Sequence, residues 1–316
     1  MTAAVLLTVY ALVLAAVAPA ALQRASWVER APRLGILAWQ SLSIAVVAAV
    51  VLAGLTVAVP ASAWGADLAQ ALNACVMMLR DSYASPQDAL TITAALLASA
   101  AITARLIYSL GAELLRTWSE RRRHLAVLRM VARREERLGV LVVDHDAAIA
   151  YCLPGRGGPI VLSTRALAAL DGRRLAAVLA HERAHLHGHH HVLTATARGM
   201  RRAFPFVALF ATAEQEIARL AELVADDAAV HAAGRLTVAD ALLTMADDQN
   251  TPASVLAAAT HRTGQRVRRL LARTPPLRAI ASLSIGVSAR AAMAAPIVVA
   301  ALPALLASVM DCCRMR

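Results

Sequence analysis

The sequence predicts a mainly α, multi-pass membrane protein, with four transmembrane helices and an α+β cytoplasmic segment between the third and the fourth. Three observations carry this expectation. Hydrophobic residues make up 59% of the 316 and charged residues only 17%, a balance too apolar for an ordinary water-soluble domain. Four apolar stretches each approach the roughly 20 residues a helix needs to cross a bilayer. Between the third and the fourth, β-branched runs give way to apolar residues at three- and four-residue spacing, the change from strand to helix.

The apolar stretches run from about Ala3 to Leu22, Leu34 to Val59, Ala89 to Leu110 and Ala291 to Met310. The first ends in Ala18-Pro19-Ala20, small residues of the kind that precede a signal cleavage site. No basic residue precedes Arg24, however, so the stretch reads as a retained helix. Arg105 shortens the third; its guanidinium is expected to snorkel to the inner interface or to face another helix. Trp27, Trp39, Trp64 and Trp118 flank the spans where an interfacial aromatic belt would place them.

Basic residues set the orientation. The connection between the first two spans carries Arg24, Arg30 and Arg33 against Glu29, whereas residues 61–87 hold only Arg80 against Asp67 and Asp81. A dense run of arginines from Arg116 to Arg137 follows the third span. The positive-inside rule then places both termini outside the cytoplasm and the middle segment within it. The expected division is a membrane region over 1–116, a cytoplasmic segment over 117–278, and a last helix with a short tail over 279–316.

A net charge of +11 would suit a nucleic-acid binder, but most of the excess lies on juxtamembrane arginines that the anionic inner leaflet attracts equally well. No nucleic-acid motif accompanies them, so the expected partner is the lipid bilayer and no direct nucleic-acid binding is expected. The chain has no lysine at all. Of the four cysteines, Cys152 would be cytoplasmic and reduced. Cys75, Cys312 and Cys313 would face outward, where a bridge from Cys75 to the tail stays open and unpaired thiols are the simpler reading. No cysteine spacing matches a zinc finger.

Within the middle segment, Thr117 to Leu138 is charged and helix-prone, and reads as a juxtamembrane connector. Gly139-Val-Leu-Val-Val143 reads as a strand. Ala148–Cys152 and Pro159–Ser163, separated by the Pro154–Gly158 turn, read as a β-hairpin. A helix capped by Asp171 carries Leu175, Val178, Leu179 and Glu182 on one stripe. A second runs from about Pro205 to Ala232, and a basic third from about Val255 to Ala272.

The first of these helices contains His181-Glu182-Arg183-Ala184-His185. Residues at i and i+4 share a helix face, so both imidazoles can reach one metal ion with Glu182 beside it. Glu222, in Glu222-Leu-Val-Ala-Asp226, can complete the set. Two imidazoles and one carboxylate suit zinc (Zn2+), whose catalytic sites keep three protein ligands and an open position for water. Glu182 would act as the general base of peptide-bond hydrolysis. Asp226, on the same face as Glu222, would accept a hydrogen bond from a ligand histidine; an ordinary solvated carboxylate is nearly as good a reading from spacing alone. Asp227 is expected at the surface, and His231 and His261 as ordinary surface or packed histidines. His187, His189, His190 and His191 offer a competing, non-catalytic metal site.

The runs Ala150–Gly155, Ile160–Thr164, Leu175–His185 and Glu222–Asp226 together resemble the integral-membrane gluzincin peptidases, which include prenyl-protein endoproteases and HtpX-type quality-control proteases. The order of three membrane helices, a protease segment and a fourth helix most resembles the BlaR/MecR-like antibiotic-sensor branch. The resemblance implies a zinc metalloendopeptidase with metal ligands His181, His185 and Glu222, catalytic base Glu182 and supporting Asp226. It also implies a substrate-binding strand edge at Ala150, Tyr151 and Cys152, where an extended peptide could pair by main-chain hydrogen bonds. Sensor members carry an extracellular penicillin-binding domain after the fourth helix; none is expected here, six residues beyond Met310. His261 and Arg266 resemble a histidine–arginine pair of related enzymes, with altered spacing. A protein or peptide substrate follows, with a transcriptional repressor as the family's regulatory example. The alternatives are a housekeeping quality-control protease, or a non-enzymatic metal-binding membrane receptor or scaffold.

Overall fold

A computed structural model describes residues 2–58, 77, 86–155, 157–247, 253–272 and 275–314. It is mainly helical. Helix α1 spans Thr2–Arg24, a short α2 Trp27–Arg30, α3 Pro32–Ala58 and α4 Pro86–Val131. Proline opens both α3 and α4, where its fixed φ suits the first helical turn and its missing N–H costs nothing. A four-stranded sheet follows, β1 Arg133–Glu135, β2 Val140–Val143, β3 Ala150–Cys152 and β4 Ile160–Ser163. The remaining helices are α5 Thr164–Ala169, α6 Gly172–His187, α7 His190–Ala203, α8 Ala208–Ala233, α9 Arg235–Asp247, α10 Ala253–Leu271 and α11 Ala279–Arg314.

Among the described residues, four helices are long and apolar enough to cross a membrane: Thr2–Arg24, Pro32–Val57, Ala89–Val131 and Ala279–Leu302. The last begins at Ala279 rather than near Ala291. The third continues without a break from the apolar stretch into the arginine-rich one, so the expected connector is the same helix prolonged. It stops at Val131 rather than Leu138 because Arg133–Glu135 leaves the helix to pair antiparallel with Val140–Val143. Gly139, at φ +68, supplies the left-handed residue between these two strands.

The strand order is β1-β2-β4-β3, with β2 and β4 parallel and β3 antiparallel to β4. The expected hairpin of β3 and β4 is therefore present, and β3 is an edge of the sheet. One face buries Val140, Val142, Ile160 and Leu162 against Leu179 of α6. The other sets Val161 against Leu128 of α4. The alternation of side chains along each strand thus feeds two cores, and α6 is seated directly on the sheet.

The largest core joins apolar helices to the helices after the sheet: Trp39, Leu42 and Val46 of α3 pack with Phe210, Ile217 and Leu220 of α8. Trp39 is fully buried there and so is not part of an aromatic belt. It faces a neighbouring helix, which a pattern of flanking tryptophans cannot distinguish from lipid. Trp118 is exposed and carries the Arg122 guanidinium 4.0 Å above its ring, while Trp27 is half-buried. Trp64, Cys75 and the side chains of Cys312 and Cys313 lie outside the described residues. Cys152 is a free thiol. Arg105 faces another helix, donating from Nε to the Ala203 carbonyl at the C-terminus of α7.

Candidate metal centre

Two helices position the candidate residues. Asp171 caps α6, its carboxylate accepting from the backbone N–H groups of Arg173 and Arg174 at 3.0 and 2.9 Å. Leu179 anchors that helix to the sheet, and the following turn presents His181, Glu182 and His185 to a cleft. Helix α8, held against α3 by its apolar stripe, presents Glu222 and Asp226 to the same cleft.

Nε2 of His181 and Nε2 of His185 stand 3.1 Å apart, and the Glu222 carboxylate lies 3.4 Å from each. Those two contacts use different carboxylate oxygens, and a set of one donor atom from each residue lies within 4.8 Å of one another. Tetrahedral zinc, with bonds of about 2.0 to 2.2 Å, needs donors roughly 3.3 Å apart, so the residues present fit the ion. The remaining ring nitrogens are engaged elsewhere: His181 Nδ1 lies 3.1 Å from Asp226, and His185 Nδ1 lies 2.8 Å from Nδ1 of His190. That arrangement leaves both Nε2 atoms facing the position an ion would take.

Arg266 of α10 closes the far side. Its Nε and Nη2 donate to both Asp226 oxygens at 2.8 and 2.5 Å, and its Nη1 lies 3.1 Å from Glu222. Asp226 is fully buried, so this fork–fork pairing satisfies a charge that water cannot reach. Arg266 is thus tied to two carboxylates of the site. The His261 side chain lies outside the described residues. Asp227 turns away to Arg269, and His231 Nδ1 meets the Asp227 carbonyl at 2.6 Å.

These neighbours divide the protons. For His181, burial disfavours charge, yet the hydrogen bonds with Asp226 and Glu222 prevail and raise its pKa to about 9. Burial depresses His185 to about 4. Burial works against the Glu222 charge too, but His181 and Arg266 hold its carboxyl at about 2. Asp226 reaches about 2 in the same way, against burial and through Arg266 and His181. The Glu222 side chain is 42% exposed, where solvent screens such pairings; Asp226, at 1%, feels them fully. Glu182 is buried and its pKa is raised by that burial, a shift in the direction a general base needs. Cys152, desolvated and beside Glu182, is pushed up to about 12 and stays a neutral thiol.

The cleft holds about 380 Å³. Ala150, Tyr151 and Cys152 of edge strand β3 form one wall, and Val178, Val238, Leu242 and Met245 make an apolar end beyond the carboxylates. Tyr151 is tied to α4 through its hydroxyl, 2.7 Å from His124 Nε2. All eight residues singled out from the sequence, His181, Glu182, His185, Glu222, Asp226, Ala150, Tyr151 and Cys152, therefore line one cavity. His190 was missed. It follows His185 by five residues, a spacing no single helix brings together, and reaches back only because the chain breaks at Gly188 and at His189, φ 48. A Cβ at Gly188 would collide with the His190 ring.

A helix-borne histidine pair, a carboxylate from a second helix and a free strand edge beside them define a metallopeptidase-type centre. The chain belongs to peptidase family M48, whose family model matches residues 117–274, half of its length. No curated protein and no solved structure matches it.

Proposed function

We propose that this chain is an integral-membrane zinc endopeptidase that hydrolyses peptide bonds on the cytoplasmic side. The observation that carries the reading is the convergence of His181 Nε2, His185 Nε2 and the Glu222 carboxylate beside the buried Glu182. Those three side chains would hold the ion, which when bound acidifies water and polarises a carbonyl. Glu182 takes a proton from the attacking water and returns it to the departing amine. Asp226 holds the His181 ring by Nδ1, and Arg266 holds Asp226. An extended substrate pairs along Ala150–Cys152, an unpaired strand edge that offers main-chain donors and acceptors next to Glu182.

In the same reading, 1–116 and 279–316 are membrane regions and 117–278 the catalytic segment, with both termini extracytoplasmic. The asymmetry of arginines across the apolar helices supports this. The helix order supports membership of the BlaR/MecR-like branch, whose regulatory members cleave a transcriptional repressor; we assign the chain that kind of substrate.

The test is Glu182→Gln in the full chain, purified in detergent and offered fluorescent casein. The substitution keeps zinc content and abolishes hydrolysis. Cleavage at the parental rate by the variant would overturn the assignment.

A further inference from the structure

The helical hairpin of α7 and α8 carries an apolar tip, Phe204-Pro205-Phe206-Val207, in which Phe206 is 97% exposed. Two independent rulers place that tip along the apolar helices. On α4, Arg105 donates to the Ala203 carbonyl, Gly199 lies against Leu110, and Arg198 pairs with Glu113 at 3.0 Å. Helix α7 therefore descends antiparallel to α4, and its last residue stands level with Arg105, about 20 Å from Trp118 at about 1.5 Å per residue. On α3, a Cβ at Gly35 would meet Leu220 of α8 at 2.9 Å, so Leu220 marks the start of that helix. Residue Ala208 lies twelve positions before it, about 18 Å deeper. The rulers agree, because Ser99 of α4 hydrogen-bonds Val51 of α3 and so sets Arg105 near the level of Val46.

We infer that the α7–α8 hairpin is a re-entrant membrane element, entering the bilayer from the side of Arg24, Arg30 and Arg33 and turning back with Phe206 among acyl chains. This rests on the membrane insertion of the four apolar helices and goes beyond it. A bilayer ending at the level of Phe206 would strand the lower part of α1 in water, although Val13 and Val17 there are more than half exposed.

The charges of the hairpin agree with such a placement. Arg198 and Arg202 of α7 and Arg116 of α4 all pair with Glu113, which is fully buried, and Arg198 and Arg201 pair with Glu214 of α8. Ionisable groups at membrane depth are tolerated when mutually paired and facing protein. The partly exposed arginine stems are long enough to snorkel toward headgroups. Arg105 deals with the other polar liability, a C-terminal carbonyl of α7 at the deepest point. Glu222, two residues past Leu220, then lies at the level of the bilayer surface, where the cleft would take up segments of chain close to the membrane.

The test is nitroxide depth measurement on the full chain with its native cysteines replaced, in vesicles of phosphatidylcholine and phosphatidylglycerol. Labels are placed at Phe206→Cys, at Leu97→Cys on an exposed face of α4 as the lipid standard, and at Arg173→Cys as the water standard. The expected result is that the label at 206 collides with oxygen rather than a nickel chelate, as the label at 97 does and the label at 173 does not. Residue 206 behaving as residue 173 while 97 reads as lipid would overturn the hairpin alone. Residue 97 itself reading as water would overturn the inference together with the four-span reading. Neither zinc content nor peptide hydrolysis enters the measurement, so failure here is separate from failure of the peptidase assignment.

Discussion

The Nδ1 atoms of His185 and His190 face each other at 2.8 Å, so one donates and the other accepts. If Nε2 of His185 holds the ion, its Nδ1 carries the hydrogen and His190 is the acceptor, protonated on Nε2. Replacing His190 with Leu leaves His185 free to rotate and is expected to weaken zinc binding by about 10- to 100-fold. Asn, whose amide oxygen can stand in for Nδ1, should recover most of it. Competition against a chromophoric chelator measures both.

Arg266→Met leaves the buried Asp226 carboxylate with the His181 ring but without its guanidinium, and is expected to cost about 3 kcal/mol of stability. Lys restores charge without the two-pronged geometry, so Arg266→Lys should recover less than half. Urea unfolding of the detergent-solubilised protein reads the difference, and a variant as stable as the parent would show that the pairing contributes nothing net.

Ser163 serves two acceptorless ends at once. Its buried hydroxyl accepts from Ala166 N at 3.0 Å, capping α5, and from Ile149 N at 2.9 Å, fixing the chain as it enters β3. Ser163→Ala is expected to destabilise by about 2 kcal/mol, the sum of a cap and an orphaned buried donor. Hydrogen exchange at Ile149 and Ala166 should accelerate together.

Zinc uptake should release a proton from His181, whose pKa in the metal-free protein is raised to about 9. Apparent affinity then rises about tenfold per pH unit from neutrality up to that value and levels off above it. The metal-free protein behaves inversely. Stabilisation from charged His181 is complete below its ordinary pKa of about 6.5 and is lost as pH rises through about 9. Glu222 and Asp226, both held at about 2, contribute above their ordinary carboxylate range and lose that contribution as pH falls through about 2. Thermal unfolding in chelator across pH, compared with zinc titrations, checks both signs.

Much of this was readable in the residues. The i, i+4 histidines needed only the geometry of one helix, Asp171 announced where that helix begins, and the hairpin followed from two short apolar runs around a glycine-rich turn. What escaped depended on distant partners. Trp39 is an apolar aromatic beside a span either way, and only the position of α8 decides that it is buried. The three residues of β1 carry two arginines and a glutamate, so nothing local opposed continuing the helix. Helix α7 begins inside a histidine run that resembles a chelating tract, and its amphipathic character emerges only beyond it. Arg266 was visible as a neighbour in sequence of His261, but its two-pronged hold on Asp226 spans forty residues.

The candidate donors are divided between differently supported parts. His181 and His185 ride on a helix seated on the sheet, whereas Glu222 rides on one clamped to α3. An ion shared by them would rivet the two together, and its hold would depend on their relative placement. A tilt of α3 reaches the carboxylate directly through α8, and the imidazoles only at second hand, through the Ala177–Ala229 packing and the His181–Asp226 contact, so that a displacement in the apolar helices would alter the hold on the cation.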